Sequence, residues 1–437
     1  MKILAWNDAT AAERRAALAR PAAESRVEVF AQAGAIIASV RAEGDTAVRR
    51  FTEQFGGPKL DSLRVTAQEF RAARAALTPV QVAALERAVS NVSRFHEAQI
   101  MQPLAVETMP GVWCERVTRP IGSVGLYVPA GSAPLPSTAV MLAAPARIAG
   151  CPARAIASPP GPDGRIYPAV LVAAELCGID TVYKMGGAQA IAALAFGTET
   201  VRKVDKIFGP GSAWVTAAKQ IVAADPAGAA IDLPAGPSEV LVIADDSADA
   251  RFVAADLLAQ AEHDTIAQVV LVTTSMSFAR KVMDGVAAQT IGLSRLRIVT
   301  ESLVNCRVIV VPDLDAALEV SNEYAPEHLI IQTRSPRALL PRVNCAGSVF
   351  LGPWSPESIG DYCAGTNHVL PTFGYARSHS GVSLLEFQKR ITVQELSADG
   401  LRALGPTAVT LSEMEGLDAH GNAVKVRLAA LGAGGAA

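Results

Sequence analysis

Residues 123–131 have the sequence SVGLYVPAG, a short apolar run that ends in proline and glycine. The same order of strand, Gly-rich or Pro-rich turn and helix recurs in residues 153–161 (ARAIASPPG), 181–197 (TVYKMGGAQAIAALAFG) and 203–222 (KVDKIFGPGSAWVTAAKQIV). Repeats of this kind predict parallel strands joined by right-handed crossovers. Because the loops of such units gather at the carboxyl ends of the strands, we expect a ligand site there, near Tyr127, Gln189 and Ser212.

A second series of strands is predicted after the Pro/Gly-rich segment 233–237, LPAGP. Apolar runs alternate with Ala-rich helical patterns and lie near residues 240–244, 269–273, 308–311, 330–332 and 348–351. This alternation predicts a second parallel sheet. The fold class is therefore α/β.

Both ends of the chain are predicted to be helical. Apolar residues at helical spacing indicate helices over residues 8–25 and 28–45, with Asn7 and Asp8 as candidate caps. Beyond Pro371 the alternation of strands and helices stops, and we expect helices followed by a Gly/Ala tail. A small helical extension buries little surface alone, so we expect it to dock on another domain or subunit.

Composition excludes several classes of function. A chain of 437 residues is too long for one ordinary core and predicts roughly two to four structural units. The formal net charge is −3, with acidic and basic residues interspersed, so neither a nucleic acid nor a membrane surface is expected as a partner. No apolar run is long enough to span a bilayer.

The cysteines indicate a reducing compartment. There are six, none of them in a C-x-x-C pair, and they are Cys114, Cys151, Cys177, Cys306, Cys345 and Cys363. Most lie in apolar runs, which favours small buried side chains over disulfides or metal ligands. The first residues carry a charged helical pattern in place of a signal peptide, so we expect a cytoplasmic protein.

Glu327 and His328 are the strongest candidates for acid/base chemistry. They occupy a Pro-containing turn that runs into the apolar run 329–333, so we expect them at the edge of a strand. Both side chains are easily tuned toward neutral pKa values, and together they can take protons from an alcohol and from a water. An isolated Glu-His pair is more often a pair of ordinary surface residues.

Other polar residues have the chemistry of metal ligands. Gln260 and His263 are three apart in a predicted helix and therefore share one face. Asp361 lies in a loop after a predicted strand, and His420 lies near Glu415 in the C-terminal segment. Imidazole nitrogen and carboxylate oxygen suit zinc. Spacing alone does not bring these residues together, and His96, His368 and His379 are left without a role.

Long motifs across the chain resemble those of the histidinol dehydrogenase family. The matching stretches are residues 118–135, 185–199, 204–212, 228–245, 256–264, 323–333 (EYAPEHLIIQT), 347–372 (GSVFLGPWSPESIGDYCAGTNHVLPT) and 387–397 (FQKRITVQELS). The resemblance implies two successive NAD-dependent oxidations, from L-histidinol through L-histidinaldehyde to L-histidine, in the last steps of histidine biosynthesis.

The resemblance also implies the roles of particular residues. It implies Glu327 and His328 as the catalytic residues, and we assign His328 as the base that takes the alcohol proton and Glu327 as the group that activates water. The implied ligands of one zinc ion per subunit are Gln260, His263, Asp361 and His420. The implied substrate contacts are Ser238, Gln260, His263, His328, Asp361, Glu415 and His420. The implied NAD contacts are Tyr127, Gln189 and the position of Ser212.

This chain departs from the family pattern at two positions near the cofactor. Ser212 stands where the family usually has an asparagine, in GPGS in place of GPGN, and Ala130 stands where a glycine pair is usual. A shorter side chain at 212 and an added Cβ at 130 predict weaker NAD binding. No G-x-G-x-x-G follows a predicted strand, so the sequence pattern alone does not indicate NAD.

The resemblance implies two parallel-sheet domains like incomplete Rossmann folds, with helical additions. The expected boundaries are an N-terminal helical arm at 1–25, a first α/β domain at 26–126 and 239–382, a second at 127–238 that contacts NAD, and a C-terminal helical dimerisation domain at 383–437. The protein is expected to be a homodimer in which Glu415 and His420 serve the neighbouring subunit.

Three other functions remain open from the sequence. A zinc-dependent hydrolase uses the same residue types, with Glu327 activating a metal-bound water and no need for NAD. An NAD-dependent dehydrogenase of another small polar alcohol uses the same cofactor site. A non-catalytic relative keeps the fold, but the Glu-His pair and the ligand set then have no chemical purpose.

Overall fold

Two compact units make up the chain in the computed structural model, which describes residues 2–21, 26–130, 133–234 and 236–433. The first unit comprises Met1–Gln99 and Ile121–Phe387, and the second comprises Ile100–Pro120 and Gln388–Ala437. The end of the helix expected over 8–25, the residue Ala235 of the Pro/Gly segment and the last residues of the Gly/Ala tail lie outside the described ranges. No helix in those ranges combines the length and apolar character needed to cross a membrane.

The first part of the chain forms one strand and five helices. They are β1 (Lys2–Ala5), α1 (Ala11–Leu18), α2 (Arg26–Glu43), α3 (Asp45–Gln54), α4 (Ala67–Ala76) and α5 (Pro79–Glu97). α1 begins later than expected because its cap is Thr10, which forms a reciprocal capping box with Glu13. The expectation that Asn7 or Asp8 caps this helix was wrong. β1 was not predicted, since four residues are too few to show a period.

A five-stranded parallel sheet follows, after two strands that belong to the second unit. The elements are β2 (Leu104–Met109), β3 (Val112–Pro120), β4 (Ser123–Tyr127), α6 (Pro136–Ile148), β5 (Ala153–Ser158), α7 (Pro168–Leu176), β6 (Val182–Lys184), α8 (Gly187–Phe196), β7 (Lys206–Phe208), α9 (Ala213–Ala224) and β8 (Ala230–Ile231). The sheet order is β6-β5-β4-β7-β8. α5, α6 and α7 pack on one face, and α2, α8 and α9 pack on the other.

A six-stranded parallel sheet completes the first unit. The elements are β9 (Glu239–Ala244), α10 (Ala250–Ala261), β10 (Gln268–Thr273), α11 (Met276–Thr290), α12 (Leu296–Ser302), β11 (Arg307–Val310), α13 (Leu314–Tyr324), β12 (His328–Gln332), α14 (Pro336–Leu339), β13 (Ser348–Leu351) and α15 (Glu357–Tyr362). The order is β1-β11-β10-β9-β12-β13. β9, β10 and β12 are buried along their whole length because helices cover both faces.

The two parallel sheets share one topology. In each, the first strand of its own βα series lies in the middle, the next two strands follow on one side, and the last two lie on the other side. This is the Rossmann strand order 3-2-1-4-5 without its sixth strand, and the order reverses beside β4 in one sheet and beside β9 in the other. The α/β class predicted from the repeats is therefore confirmed.

The second unit is an antiparallel sheet with two helices. β14 (Gln388–Leu396) pairs with β3, β3 pairs with β2, and α16 (Ala398–Met414) and α17 (Asp418–Ala433) follow. The prediction of helices after Pro371 missed β14, because its partner strand lies far away along the sequence. Gly405 allows the two helices to approach closely, since a Cβ there would lie 3.1 Å from Leu428.

Candidate active site

Glu327 and His328 lie at the amino end of β12, where the chain leaves α13. That helix ends at Ala325 in the left-handed conformation, with φ 54°, and Pro326 prevents it from continuing. His328 is the first residue of β12 and pairs in register with Val240 of β9. Both side chains are buried, with 6% of Glu327 and 4% of His328 exposed. The pair therefore lies beside the central strand, at the edge opposite to the carboxyl ends.

The backbone of Glu239, the first residue of β9, contacts both members of this pair. Its N–H donates to Glu327 Oε2 at 2.9 Å, and its carbonyl oxygen lies 3.1 Å from His328 Nδ1. The Glu239 side chain is itself buried and accepts from Arg20 Nε at 2.5 Å and from Arg20 Nη2 at 2.9 Å. The N–H of Phe373 donates to the same carboxylate at 2.9 Å. A bidentate ion pair thus anchors the residue that orients Glu327 and His328.

The carboxyl end of α10 brings two further polar side chains to this edge. Gln260 is fully buried, and its amide nitrogen donates to Glu357 Oε1 at 2.9 Å and faces His328 Nδ1 at 3.1 Å. His263 follows one turn later and is exposed. α10 ends at Ala261, so the prediction that both residues lie on one helix face was wrong for His263, although both residues lie near Glu357.

α15 contributes two carboxylates at i and i+4. Asp361 Oδ1 lies 3.4 Å from His328 Nε2, and Glu357 Oε1 lies 3.8 Å from His328 Nδ1. Ligand atoms of His263, Glu357 and Asp361 all lie within 4.8 Å of one another, so these three residues could hold a metal ion. In the described part of the chain, the buried His328 Nε2 has no hydrogen-bond partner.

Burial and mutual repulsion shift the pKa values of the cluster. Burial raises the pKa of Glu327 to about 8 and that of Glu357 to about 8, against the attraction of His328. Burial opposes the charged form of His328 as well, but Glu357, Glu327 and Asp361 outweigh it and hold its pKa well above the usual range. For Asp361, the contact with His328 outweighs burial and lowers the pKa. Several acidic groups packed together favour a cation at this site.

The loop after α15 joins this cluster to the five-stranded sheet. His368 Nδ1 lies 2.8 Å from the carbonyl oxygen of Asp361, and its Nε2 lies 3.1 Å from Thr138 Oγ1 in the first turn of α6. Asn367 donates to the carbonyl oxygen of Met141 at 2.7 Å. Since α6 follows β4, these contacts connect Asp361 with the carboxyl edge of the other sheet.

The residues expected at that carboxyl edge are found there. Tyr127 ends β4, and its hydroxyl accepts from the N–H of Gly187 at 3.1 Å. Gln189 is in the first turn of α8 and is buried, and its Oε1 has no partner among the described residues. Ser212 is the exposed N-cap of α9 and makes no side-chain cap bond. β4 and β7 flank the point where the strand order reverses, which is where open α/β sheets bind ligands.

The remaining sequence candidates lie in different places. Ser238 is half-buried just before β9, next to the backbone that contacts Glu327. Glu415 and His420 belong to the second unit, at the end of α16 and the start of α17, and both are exposed.

Four contributors to the site were missed in the sequence. Glu357 was detectable, because it precedes Asp361 by four residues in a helix and therefore shares its face. Arg20 and Glu239 gave no local signal, since they are 219 residues apart, and the contact of His368 with Thr138 is likewise distant along the chain.

Comparison with known proteins agrees with this geometry. A model of the histidinol dehydrogenase family matches residues 18–428. The histidinol dehydrogenase of Vibrio cholerae is 55% identical over 428 residues, which cover 98% of each chain, and that of Xanthomonas euvesicatoria is 53% identical, covering 98% of this chain and 99% of its own.

A crystal structure of histidinol dehydrogenase from Elizabethkingia anophelis superposes with a TM-score of 0.93 at 44% identity, covering 99% of this chain and 98% of that one. The family indicated by the sequence motifs is thus confirmed. The chain belongs to the histidinol dehydrogenase family of oxidoreductases.

Proposed function

We propose that the protein oxidises L-histidinol through L-histidinaldehyde to L-histidine, with two molecules of NAD and one zinc ion per subunit, in the last steps of histidine biosynthesis. The observation that carries this proposal is the cluster of buried Glu327, His328 and Glu357 with half-buried Asp361, beside Gln260. Relatives at more than half identity are named for the oxidation of histidinol. We also propose a cytoplasmic location, as expected for an enzyme of amino-acid biosynthesis.

The donor set fits a zinc ion. Gln260, His263 and Asp361 are the proposed ligands from this chain, and His420 of a second copy would complete the set. Two buried carboxyl groups and the half-buried Asp361 surround one imidazole, and a divalent cation would favour the ionised form of these carboxyl groups. Glu357 lies within reach of the same point and is a further candidate contact.

The cofactor site fits NAD at the reversal of the five-stranded sheet. Tyr127, Gln189 and Ser212 are the proposed contacts. The unpartnered Gln189 Oε1 is a buried acceptor beside the amino end of α8, where a nucleotide can supply the missing hydrogen bond. When bound, NAD supplies the hydride acceptor and zinc an electrostatic anchor for the amine and imidazole of the substrate.

His328 and Glu327 handle the protons of the two steps. In the first, His328 takes the hydroxyl proton of the alcohol while the carbinol hydrogen leaves as hydride. In the second, Glu327 takes a proton from water as the water oxygen bonds to the aldehyde carbon, and the hydrate then loses its own hydride. A nearby cation favours the neutral imidazole and the ionised carboxylate that these roles require.

The second unit supports a homodimer with shared sites. Its sheet and helices expose many large apolar side chains, namely Leu104, Val106, Trp113, Ile391, Val393, Leu396, Leu411, Met414, Leu417 and Val426. Exposed apolar surface on this scale is typical of an interface. We propose that a second copy covers it, and that Glu415 and His420 thereby reach the neighbouring subunit's substrate and metal.

The proposal is tested by mixing zinc-loaded protein with limiting L-histidinol and excess NAD and by following NADH absorbance. Two NADH per L-histidinol are expected, lost on chelation and restored by zinc but not by magnesium, which prefers oxygen ligands. A yield of one NADH would indicate a simple alcohol dehydrogenase. No NADH would contradict the proposal and favour a zinc hydrolase or another alcohol as substrate.

A further inference from the structure

A buried ion pair lies beneath the loop that joins β7 to α9. Lys219 of α9 is 3% exposed, and the side chain of Asp232, just after β8, is fully buried. Lys219 Nζ donates to a carboxylate oxygen of Asp232. Buried lysines are rare and need acceptors for all their protons. The other acceptors of Lys219 Nζ are backbone carbonyl oxygens, so the lysine binds the backbone of the loop directly.

The pair holds Gly209 from both sides. Lys219 Nζ donates to the carbonyl oxygen of Gly209 at 2.8 Å, and the N–H of Gly209 donates to Asp232 Oδ2 at 2.7 Å. Gly209 has φ +122°, a conformation open to glycine, and a Cβ there would clash with the carbonyl oxygen of Tyr127. Its backbone is therefore fixed against the end of β4.

The loop so fixed occupies the reversal point of the five-stranded sheet. It runs from Gly209 to Ser212, the N-cap whose side chain makes no cap bond, and it opens the amino end of α9. Its neighbour across the reversal is Tyr127, which ends β4. A glycine loop before a helix binds a nucleotide more tightly when its N–H groups already point in the binding direction before the ligand arrives.

We infer that Lys219 and Asp232 are positioning residues for the nucleotide: they pre-organise the loop Gly209–Ser212 for NAD without contacting it. This inference rests on the proposed function, since it requires NAD to bind at this loop. A pair that only stabilised the fold would change the unfolding temperature and leave the affinity of the folded protein for NAD unaltered.

The test compares NAD affinity in folded, zinc-loaded proteins by calorimetry. The variant is Lys219→Met with Asp232→Asn, which removes both charges at similar volume and leaves neither one buried and unpaired. We expect the Kd for NAD to rise at least about tenfold, while the Kd for L-histidinol, measured without NAD, stays within about twofold.

Asp205→Ala is the matched control. Asp205 precedes the same strand β7 at its other end and accepts from the N–H and hydroxyl of Ser123 at 2.8 and 2.9 Å. Its loss should lower stability and leave NAD affinity unchanged. An unchanged Kd for NAD in the folded double variant would overturn the inference.

A second measurement needs no variant. In the NAD-free wild-type protein, the Gly209 N–H should be protected from hydrogen exchange because Asp232 accepts it. Exchange at the rate of an open loop would overturn the inference even if the double variant failed to fold. If the wild-type protein bound no NAD at all, both the proposed function and this inference would fail. If the wild-type protein bound NAD and the double variant bound it equally well, only the positioning role of Lys219 and Asp232 would be refuted.

Discussion

Removing the guanidinium of Arg20 is expected to destabilise the protein strongly. The Arg20 side chain is 14% exposed and pairs bidentately with the Glu239 side chain, which is 1% exposed. It also donates to the carbonyl oxygen of Tyr324 at 2.9 Å and stacks over the Tyr324 ring at 4.3 Å. Arg20→Met keeps much of the aliphatic packing and deletes the charge.

The size of the expected loss in the free energy of unfolding follows from the Glu239 carboxylate, which stays buried after Arg20 is replaced. Breaking a buried ion pair from one side costs about 3–5 kcal/mol, because the remaining charge stays buried without its partner. The N–H of Phe373 still donates to Glu239, which places the expected loss near the lower end, at about 3 kcal/mol. The lost cation–π contact adds about 1 kcal/mol.

The assay is a double-mutant cycle in the free energy of unfolding. Arg20→Met combined with Glu239→Gln leaves no buried charge, so it should cost only about 1–2 kcal/mol, less than Arg20→Met alone. Arg20→Met should also lower kcat, since the disturbed Glu239 carries the N–H that holds Glu327. If the double variant were as unstable as Arg20→Met, or if Arg20→Met cost under about 1 kcal/mol, the reasoning from the buried pair would be refuted.

Three further predictions follow from other parts of the first unit. Gly360→Ala places a Cβ 2.5 Å from the Phe350 ring, so it should lower the free energy of unfolding by about 1–3 kcal/mol. It should also displace Asp361 and so weaken zinc binding in a metal-competition titration. An unchanged unfolding midpoint would contradict this prediction. Burial raises the pKa of Asp256 to about 7, so the folded protein binds more protons than the unfolded chain and loses stability as pH rises from about 4 to about 7. Asp256→Asn should therefore stabilise the protein near pH 8, by up to about 4 kcal/mol in denaturant titrations. If the free energy of unfolding changed with pH equally in both proteins, the assignment would be refuted. Ser212→Asn should lower the KM for NAD about fivefold by adding one hydrogen bond of about 1 kcal/mol, and an unchanged KM would show that Ser212 already suffices.

Much of the fold was visible in local pattern. Continuous apolar runs such as those of β9, β10 and β12 are typical of parallel strands covered on both faces, and they fixed the α/β class. Strand β14 was missed because pairing in an antiparallel sheet depends on a distant partner. β14 is exposed along almost its whole length, so its apolar residues do not reveal which strand it pairs with.

The location of the candidate acid/base pair was only partly predictable. The sequence placed Glu327 and His328 at a strand edge, and the general rule for α/β sheets favours the carboxyl edge. They lie at the amino edge because the chain enters β12 there. Contacts such as Arg20 with Glu239, 219 residues apart, depend on how the sheet and the N-terminal segment pack, which no periodicity encodes.

The most direct test of the proposed mechanism is the NADH yield of a Glu327→Gln variant from limiting L-histidinol. If His328 serves the alcohol and Glu327 the water, the variant should form one NADH per L-histidinol at a rate near that of the wild type and accumulate the aldehyde, while His328→Asn forms almost none. The wild-type protein, run beside them, should form two. A Glu327→Gln variant that still forms both NADH at the wild-type rate would contradict the division of roles between these two residues.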